Sequence, residues 1–227
     1  MENEAPRRSN PPNAVFSRAF LYGELTFLTF GLPVLLGTVI PLRFMLVTVW
    51  LIALYGYFVW RAASPPPRSL WRWECVTAVH LKPMLIRFAL ATFLIAGVTY
   101  WMQPELFASF ARERPAFWAI VMIAYPVLSA FPQEIIFRSF FFRRYQSIFA
   151  TRWLMIAASG VAFAITHVLF QNWVAPALCL VGGVMFAKTY DETRSLALVT
   201  IEHALYGCMI FTVGLGRYFY HGAVGTH

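Results

Sequence analysis

Two histidines and a glutamate-arginine pair lie inside otherwise apolar stretches of this chain, and their side chains can do acid-base chemistry. In the segment FPQEIIFRSFFFRRYQ, residues 131–146, Glu134 and Arg138 are four residues apart and therefore share one face of a helix. His167 and His203 follow in two later apolar stretches. Because burying an ionisable side chain among apolar groups costs free energy, each of these residues is a candidate functional residue.

These side chains permit two kinds of hydrolytic site. A glutamate and a histidine can accept the proton of a water molecule. Alternatively, Glu134, His167 and His203 would bind zinc as two histidines and one glutamate, with water in the fourth position. No HExxH-type spacing supports zinc, and the three cysteines have no metal-binding spacing. We therefore rank the zinc site second.

A structural explanation also exists for each of these residues. An ion pair can simply hold a helix, and a single histidine in an apolar stretch more often joins two helices by a hydrogen bond. The presence of two histidines and a carboxylate in three separate stretches favours a functional site. Glu24, near a helix end, is expected to face lipid headgroups. Glu202 lies roughly 100° around the helix from His203, so we expect it to orient a neighbour or to pair with an arginine.

The composition indicates which elements must position these residues. The 227-residue chain is 59% hydrophobic and only 12% charged, and its mean hydropathy is +0.62, which is typical of a membrane protein. Each apolar stretch is close to the ~20 residues that cross a bilayer as a helix. We predict an all-α, polytopic transmembrane helix bundle of about seven spans, near residues 20–38, 41–60, 84–102, 117–142, 153–170, 172–190 and 195–219.

The chain is predicted to form one transmembrane domain, residues 20–220, between a tail of residues 1–19 and a tail of residues 221–227. Its first apolar stretch lacks a small-residue cleavage site and a second stretch follows at once, so we expect it to be a retained anchor. The proline-rich linker Ala63–Glu74 contains Trp71 and Trp73, which suit a segment at the membrane surface.

The net charge of +8 reflects topology rather than nucleic-acid binding, because the arginines are spread over short connections. By the positive-inside rule the amino terminus is cytoplasmic, and with seven spans the carboxyl terminus is outside. The inner membrane of a bacterium is the expected location. Basic residues occur in the first tail and in alternate connections: Arg7, Arg8, Arg18, Arg61, Arg68, Arg72, Lys82, Arg143, Arg144, Arg152, Lys188 and Arg194.

Three short motifs together resemble the CPBP intramembrane proteases, which include the Rce1-type CAAX-processing enzymes and bacterial Abi-family proteins. PQEIIFR supplies Glu134 and Arg138, FAITH supplies Phe163 and His167, and HALYG supplies His203. The motifs occur in the family's order between residues 132 and 207. Each motif is weak by itself, whereas the ordered set in a chain with several spans is fairly specific.

The resemblance implies an all-helical membrane fold with a water-containing catalytic cavity inside the bilayer. It implies hydrolysis of a peptide bond, in which a glutamate and the first histidine activate water. The second histidine and an asparagine stabilise the oxyanion. Carried over to this sequence, the catalytic residues are Glu134, His167 and His203. The expected partners are a membrane-associated protein or peptide substrate and the lipid bilayer, and no cofactor is expected.

Two positions depart from the family's motifs. Gln133 stands where the family has the first glutamate of a pair, and an amide cannot accept a proton from water. Gly207 stands where the third motif has asparagine. In an enzyme, Glu134 would then be the base while Gln133 holds the water, and Tyr206 or Asn172 would replace the missing donor.

Arg138 would support Glu134 in that enzyme. The alternative is a non-catalytic membrane scaffold, or a transporter that keeps the family's cavity. Internal inverted repeats would favour transport, and the sequence contains no recognisable repeat.

Overall fold

A computed structural model of the chain describes residues 17–39, 44–62 and 69–219. Sequence predictions that concern Arg7, Arg8, Arg43, residues 63–68 and the carboxyl-terminal tail lie outside these described residues. Within the described ranges the regular secondary structure is helical and there are no strands. The prediction of an all-α fold is confirmed.

Helices occupy all seven of the predicted apolar stretches. Six of them, in the part of the chain that the structure describes, are long and apolar enough to cross a membrane, so the protein is a multi-pass integral membrane protein. Val174–Thr193 is not among the six, and Lys188, Asp191 and Glu192 lie near its end. We number the helices α1 Arg18–Val39, α2 Met45–Ala62, α3 Ala78–Met102, α4 Pro115–Arg144, α5 Arg152–Phe170, α6 Val174–Thr193 and α7 Leu196–Val213.

Hydroxyl side chains mark where three of the helices begin. The Oγ of Ser17 accepts a hydrogen bond from the Phe20 amide at 3.2 Å, and Thr151 and Ser195 cap α5 and α7 in the same way. Such caps satisfy amide groups that have no partner inside the helix. Helix α4 instead begins with Pro115, whose missing amide hydrogen costs nothing at a first helical position.

The outer surface of the bundle is apolar. Large side chains of α3 point away from the protein, with Phe93 84% and Trp101 82% exposed. The buried residues, in contrast, include Glu134, Arg138 and Glu202. Apolar groups outside and polar groups inside are the arrangement that a lipid environment requires.

Helices α5 and α6 pack closely because glycine lies on both sides of their contact. A Cβ atom at Gly160 would stand 2.9 Å from the backbone nitrogen of Val184, and one at Gly183 would stand 3.0 Å from the carbonyl oxygen of Gly160. Small residues of this kind allow the backbones of two membrane helices to touch. An ion pair between Arg152 and Asp191 joins the start of α5 to the end of α6. The two helices are therefore antiparallel neighbours along most of their length.

Helix α4 carries the first motif and changes its winding around it. Wider, π-helical turns at Pro126–Ala130 and Ile135–Phe140 flank the regular turn Phe131–Glu134. Pro132 lies inside this continuous helix and does not break it. Proline lacks an amide hydrogen, and wide turns are a common adjustment at functional positions of helices.

Glu24 anchors α1 to the end of α4 and does not simply face the headgroups, so that prediction is wrong. The Nη2 atom of Arg144 lies 2.5 Å from the Oε2 atom of Glu24, and the hydroxyl of Tyr145 donates to Oε1 at 3.3 Å. Only 11% of the Glu24 side chain and 8% of the Arg144 side chain are exposed. A carboxylate that is largely shielded from solvent is stabilised by these partners.

The second half of the proline-rich linker packs against the start of α7. The hydroxyl of Ser195 donates to the carbonyl oxygens of Trp71 and Arg72, at 2.9 and 3.0 Å. The guanidinium of Arg72 donates to the Thr193 carbonyl oxygen at 2.8 Å. Trp71 and Trp73 stack with their ring centroids 5.8 Å apart, and both remain exposed. This segment is thus fixed to the bundle by its backbone.

Candidate active site

Glu134 and Arg138 form an ion pair in the interior of α4. The Nε atom of Arg138 lies 3.0 Å from the Oε2 atom of Glu134, and both side chains are fully buried. Their spacing of four residues places them on one helix face. Each charge offsets part of the desolvation cost of the other, so the two side chains can be buried together.

Helix α5 holds the arginine of this pair. The Nη1 atom of Arg138 donates to the Oγ of Ser159 at 2.7 Å, and the Ser159 hydroxyl donates to the carbonyl oxygen of Phe137 at 2.7 Å. The guanidinium also lies over the ring of Phe163, 5.4 Å from its centroid, which is a favourable contact for a cation. The orientation of Glu134 is therefore set by two helices.

His203 of α7 makes direct contact with Glu134. Its Nδ1 lies 2.8 Å from the Oε1 of Glu134, although 69 residues separate them. A carboxylate paired with arginine can only accept, so Nδ1 carries the hydrogen. The ring of Phe186 stacks on the imidazole at a centroid distance of 4.8 Å. Two of the three predicted catalytic residues thus meet in the structure.

His167 lies close by but does not touch Glu134 or His203 directly. Its Nδ1 is 2.8 Å from the carbonyl oxygen of Phe163, so this nitrogen donates and Nε2 is left with a lone pair in the neutral ring. The ring of Phe163 contacts both histidines, at centroid distances of 4.6 Å to His167 and 5.4 Å to His203. One aromatic ring therefore links the two imidazoles.

Gln133 and His167 line the same cavity. This cavity has a volume of about 140 Å³ and lies between α1, α2, α4 and α5. The side-chain amide of Gln133 donates to the Oγ of Ser129 at 2.8 Å, whereas its Oε1 is buried and has no hydrogen-bond partner within the described residues. Glu134 and His203 do not belong to the cavity lining. The polar residues of the lining include Gln133 on α4 and Thr166 and His167 on α5.

The two predicted substitutes for the missing asparagine have other environments. The side-chain nitrogen of Asn172 donates to the carbonyl oxygens of Phe170 and Tyr218, at 3.1 and 2.8 Å, and its Oδ1 accepts from the Ala175 amide. These bonds fix the turn before α6. The hydroxyl of Tyr206 is buried and has no hydrogen-bond partner in the described part of the chain.

Glu202 pairs with an arginine, as the sequence predicts. Its Oε1 lies 2.9 Å from the Nη2 of Arg87 in α3. Arg87 was detectable from the sequence, since it is an ionisable residue inside the third apolar stretch. Ser159 and Tyr125, which bond to Arg138 and His203, could not be found in this way, because serine and tyrosine are common in membrane helices.

The described residues contain no group of three or more histidine, cysteine, aspartate or glutamate side chains arranged to hold a metal ion. Of the three residues of the zinc alternative, Glu134 and His203 touch while His167 bonds to a backbone carbonyl group. The geometry gives no support to a step through a metal, and zinc binding stays a separate prediction.

Comparisons with known proteins found one match. Neither curated proteins nor solved structures gave a match. Residues 115–209 match the family model described as "Type II CAAX prenyl endopeptidase Rce1-like". This segment includes all three motifs and the helices from α4 to most of α7. The resemblance of the chain to the CPBP and CAAX-processing family of membrane proteases is therefore confirmed, over residues 115–209.

Proposed function

We propose that the protein is an intramembrane endopeptidase, which hydrolyses a peptide bond of a membrane-associated protein or peptide. The observation that carries this proposal is the 2.8 Å contact between Glu134 and His203. It joins the first and third motifs of a protease family, and the second motif supplies the neighbouring His167. A polar constellation of this kind inside an apolar bundle is costly unless it has a function.

The attacking water would lie in the cavity that Gln133 and His167 both line. The unpartnered Oε1 of Gln133 can accept a hydrogen bond from it, because buried polar atoms commonly bind a water molecule. His167 lines the same space, and its Nε2 is the acceptor of the neutral ring. Gln133 would orient the water while His167 accepts its proton.

Glu134 would act through His203, which it contacts directly. Both carboxylate oxygens are occupied, one by Arg138 and the other by His203. The negative charge supports the imidazole ring of His203 and stabilises it whenever that ring gains a proton. The role of direct base, assigned to Glu134 from the sequence, needs one of these bonds to open during the reaction.

The cavity walls fit an apolar substrate segment. Apart from Thr29, Tyr55, Gln133, Tyr145, Thr166 and His167, the residues that line the cavity are aliphatic, methionine, proline or phenylalanine. Apolar walls with a few polar groups are typical of sites that bind the apolar part of a ligand and orient it by its polar part. The lining thus favours an apolar peptide segment as the substrate.

The test is cleavage of a membrane-peptide library by the purified, detergent-solubilised protein. The library includes a peptide with a prenylated CAAX terminus and its unmodified counterpart. We expect His167→Ala and Glu134→Gln to abolish cleavage, because the first removes the proton acceptor and the second removes the negative charge that supports His203. Gln133→Ala should weaken cleavage less, because it removes positioning only. His80→Ala is the matched control, since His80 bonds to Thr77 before α3.

Equal cleavage by the wild type and by His167→Ala or Glu134→Gln would overturn the proposed residues. A wild-type protein that cleaves no peptide would favour a non-catalytic scaffold or a transporter, the function that Gln133 and Gly207 support. Cleavage that a chelator stops and zinc restores would assign the site to the zinc alternative.

A further inference from the structure

Tyr125 is the second polar partner of His203. Its hydroxyl oxygen lies 3.0 Å from the Nε2 of His203, on the side of the imidazole opposite to Glu134. The Tyr125 ring packs edge to face against Phe211, with centroids 5.4 Å apart. Tyr125 is half-buried, whereas His203 is buried. The hydroxyl is therefore the last group of a chain of polar contacts that runs from Arg138 through Glu134 and His203.

The glycine at position 207 makes room for this tyrosine. A Cβ atom at Gly207 would overlap the ring and the hydroxyl of Tyr125, so any larger residue there would push the tyrosine away from His203. Gly207 is also the position at which the third motif departs from the family pattern. The missing side chain and the tyrosine contact are thus two parts of one arrangement.

The hydrogen-bond donors of this chain can be assigned. The Nδ1 of His203 donates to the carboxylate of Glu134, so the Nε2 of the neutral ring has a lone pair. The Tyr125 hydroxyl is then the donor to Nε2. When the ring is protonated, Nε2 donates to the phenol oxygen instead, and the phenol hydrogen can turn to another acceptor. Both protonation states of His203 are accommodated without an unpaired nitrogen.

We propose that Tyr125 is a positioning residue of the active site, which holds His203 in one tautomer and one ring plane from the space that a side chain at position 207 would fill. This proposal rests on the proposed endopeptidase function. The Tyr125 hydroxyl fixes the plane and the tautomer of the His203 imidazole from one side, as Glu134 does from the other. Tyr206, whose hydroxyl is unpartnered, and Asn172, whose amide fixes a turn, do not make this contact.

Tyr125→Phe tests the hydroxyl while it keeps the ring. We expect kcat for the cleaved peptide to fall roughly tenfold or more, with KM within about twofold, because positioning acts on the reaction rather than on substrate binding. Tyr100→Phe is the matched control, since Tyr100 is 64% exposed on α3. A tyrosine that only packs would leave kcat unchanged.

A reciprocal exchange tests the link with Gly207. Gly207→Asn alone should lose activity through the overlap with the Tyr125 ring, and Tyr125→Ala alone should lose it because the donor is absent. The double variant Tyr125→Ala/Gly207→Asn gives the asparagine the vacated space. We expect it to recover kcat above both single variants, which additive damage cannot do.

The results separate this proposal from the proposed function. Full activity in Tyr125→Phe together with loss of activity in His167→Ala overturns the role of Tyr125 alone. A double variant no more active than the worse single variant also overturns it. Full activity in both His167→Ala and Tyr125→Phe, or a wild type that cleaves no peptide, overturns the endopeptidase function and the tyrosine role with it.

Discussion

The ion pair of Glu134 and Arg138 is fully buried, so neither charge can be removed alone without leaving the other unpaired. We expect Arg138→Ala to lower the free energy of unfolding by about 3 to 5 kcal/mol. The substitution also removes the bond to Ser159 and the contact with the Phe163 ring. Unfolding of the variant in detergent, followed by circular dichroism, measures this loss.

The matched control is the double variant Glu134→Gln/Arg138→Ala. It removes both charges, so part of the stability should return while activity stays absent. The structure shields the ion pair from water. If Arg138→Ala were as stable as the wild type, this shielding would be contradicted. If the double variant were no more stable than Arg138→Ala, the loss would come from packing rather than from an unpaired charge.

A substitution of Gln133 is expected to increase peptide cleavage. Gln133→Glu places a carboxylate in the lining of the cavity that His167 also lines, at the position where the resembled family has its water-activating residue. We expect kcat/KM to rise by about tenfold or more, because a carboxylate can accept the proton of the water as a general base, whereas an amide can only orient the water. Peptide cleavage by the purified variant measures it, and Gln146→Glu, at an exposed position near the end of α4, is the control.

A decrease of cleavage in Gln133→Glu, with Gln146→Glu unaffected, would contradict this prediction. It would show that the amide nitrogen, which donates to Ser129, is the part of Gln133 that the reaction needs. The proton would then go to His167 or Glu134 in the native enzyme without help from position 133.

Residues with unusual chemistry were the ones that the sequence could identify. Glu134, Arg138, His167 and His203 are conspicuous because ionisable groups are expensive in apolar stretches. Their partners Ser159 and Tyr125 carry no such signal, since a hydroxyl in a helix can bond to its own backbone. Glu24 was wrongly expected to face the headgroups, because the position of a residue in one helix does not show which residue of another helix it meets.

At the scale of the helices, the contact between α5 and α6 depends on the absence of side chains. We expect Gly160→Ala to lower the free energy of unfolding by roughly 1 to 3 kcal/mol, because its Cβ would collide with the backbone of α6 at Val184. Gly97→Ala is the control, since no atom lies within 4 Å of a Cβ at that position. Thermal unfolding of both variants in detergent measures the difference.

Gly97→Ala should be neutral or stabilising by up to about 1 kcal/mol, because alanine favours a helix. Equal effects of the two substitutions would contradict the close approach of α5 and α6. A destabilised Gly160→Ala should also lose peptide cleavage, since α5 carries His167 and the serine that holds Arg138.

The positions of the helices could be predicted from the sequence and their internal form could not. Each apolar stretch contains a helix because a backbone in lipid must satisfy its own hydrogen bonds. The wide turns of α4 around Phe131–Glu134 have no counterpart in the hydropathy pattern. The sequence shows the prolines that remove backbone donors, but the contacts of the helix with its neighbours need the tertiary structure.

For the whole molecule, the distribution of arginines predicts the orientation in the membrane. A reporter fused after Arg144 should be cytoplasmic, and one fused after Arg114 should lie on the other side, because α4 crosses the bilayer between them. Two reporters measure the location of each fusion point, one that is active only in the cytoplasm and one that is active only outside it. Both fusions on one side would contradict the assignment of α4 as a span and the predicted cytoplasmic amino terminus.

The number of membrane crossings depends on α6. The composition of α6 argues against a span, whereas its packing favours one. Its charged end keeps it from meeting the criterion of length and hydropathy that six other helices meet. Its 20 residues, however, would extend about 30 Å, which is the thickness of the hydrocarbon layer. Gly183 packs on Gly160 near the middle of α5, and Asp191 reaches Arg152 at the start of α5.

A helix that lies antiparallel to a spanning helix over this length must cross with it. We therefore expect α6 to be a seventh span, with its charged end beside Arg152 at the cytoplasmic surface. A reporter fused after Trp173 should be outside and one fused after Ser195 cytoplasmic, with the fusions after Arg114 and Arg144 as references for the two sides. If both new fusions lay on the same side, α6 would not cross the membrane, and this would contradict the inference from its packing along most of α5.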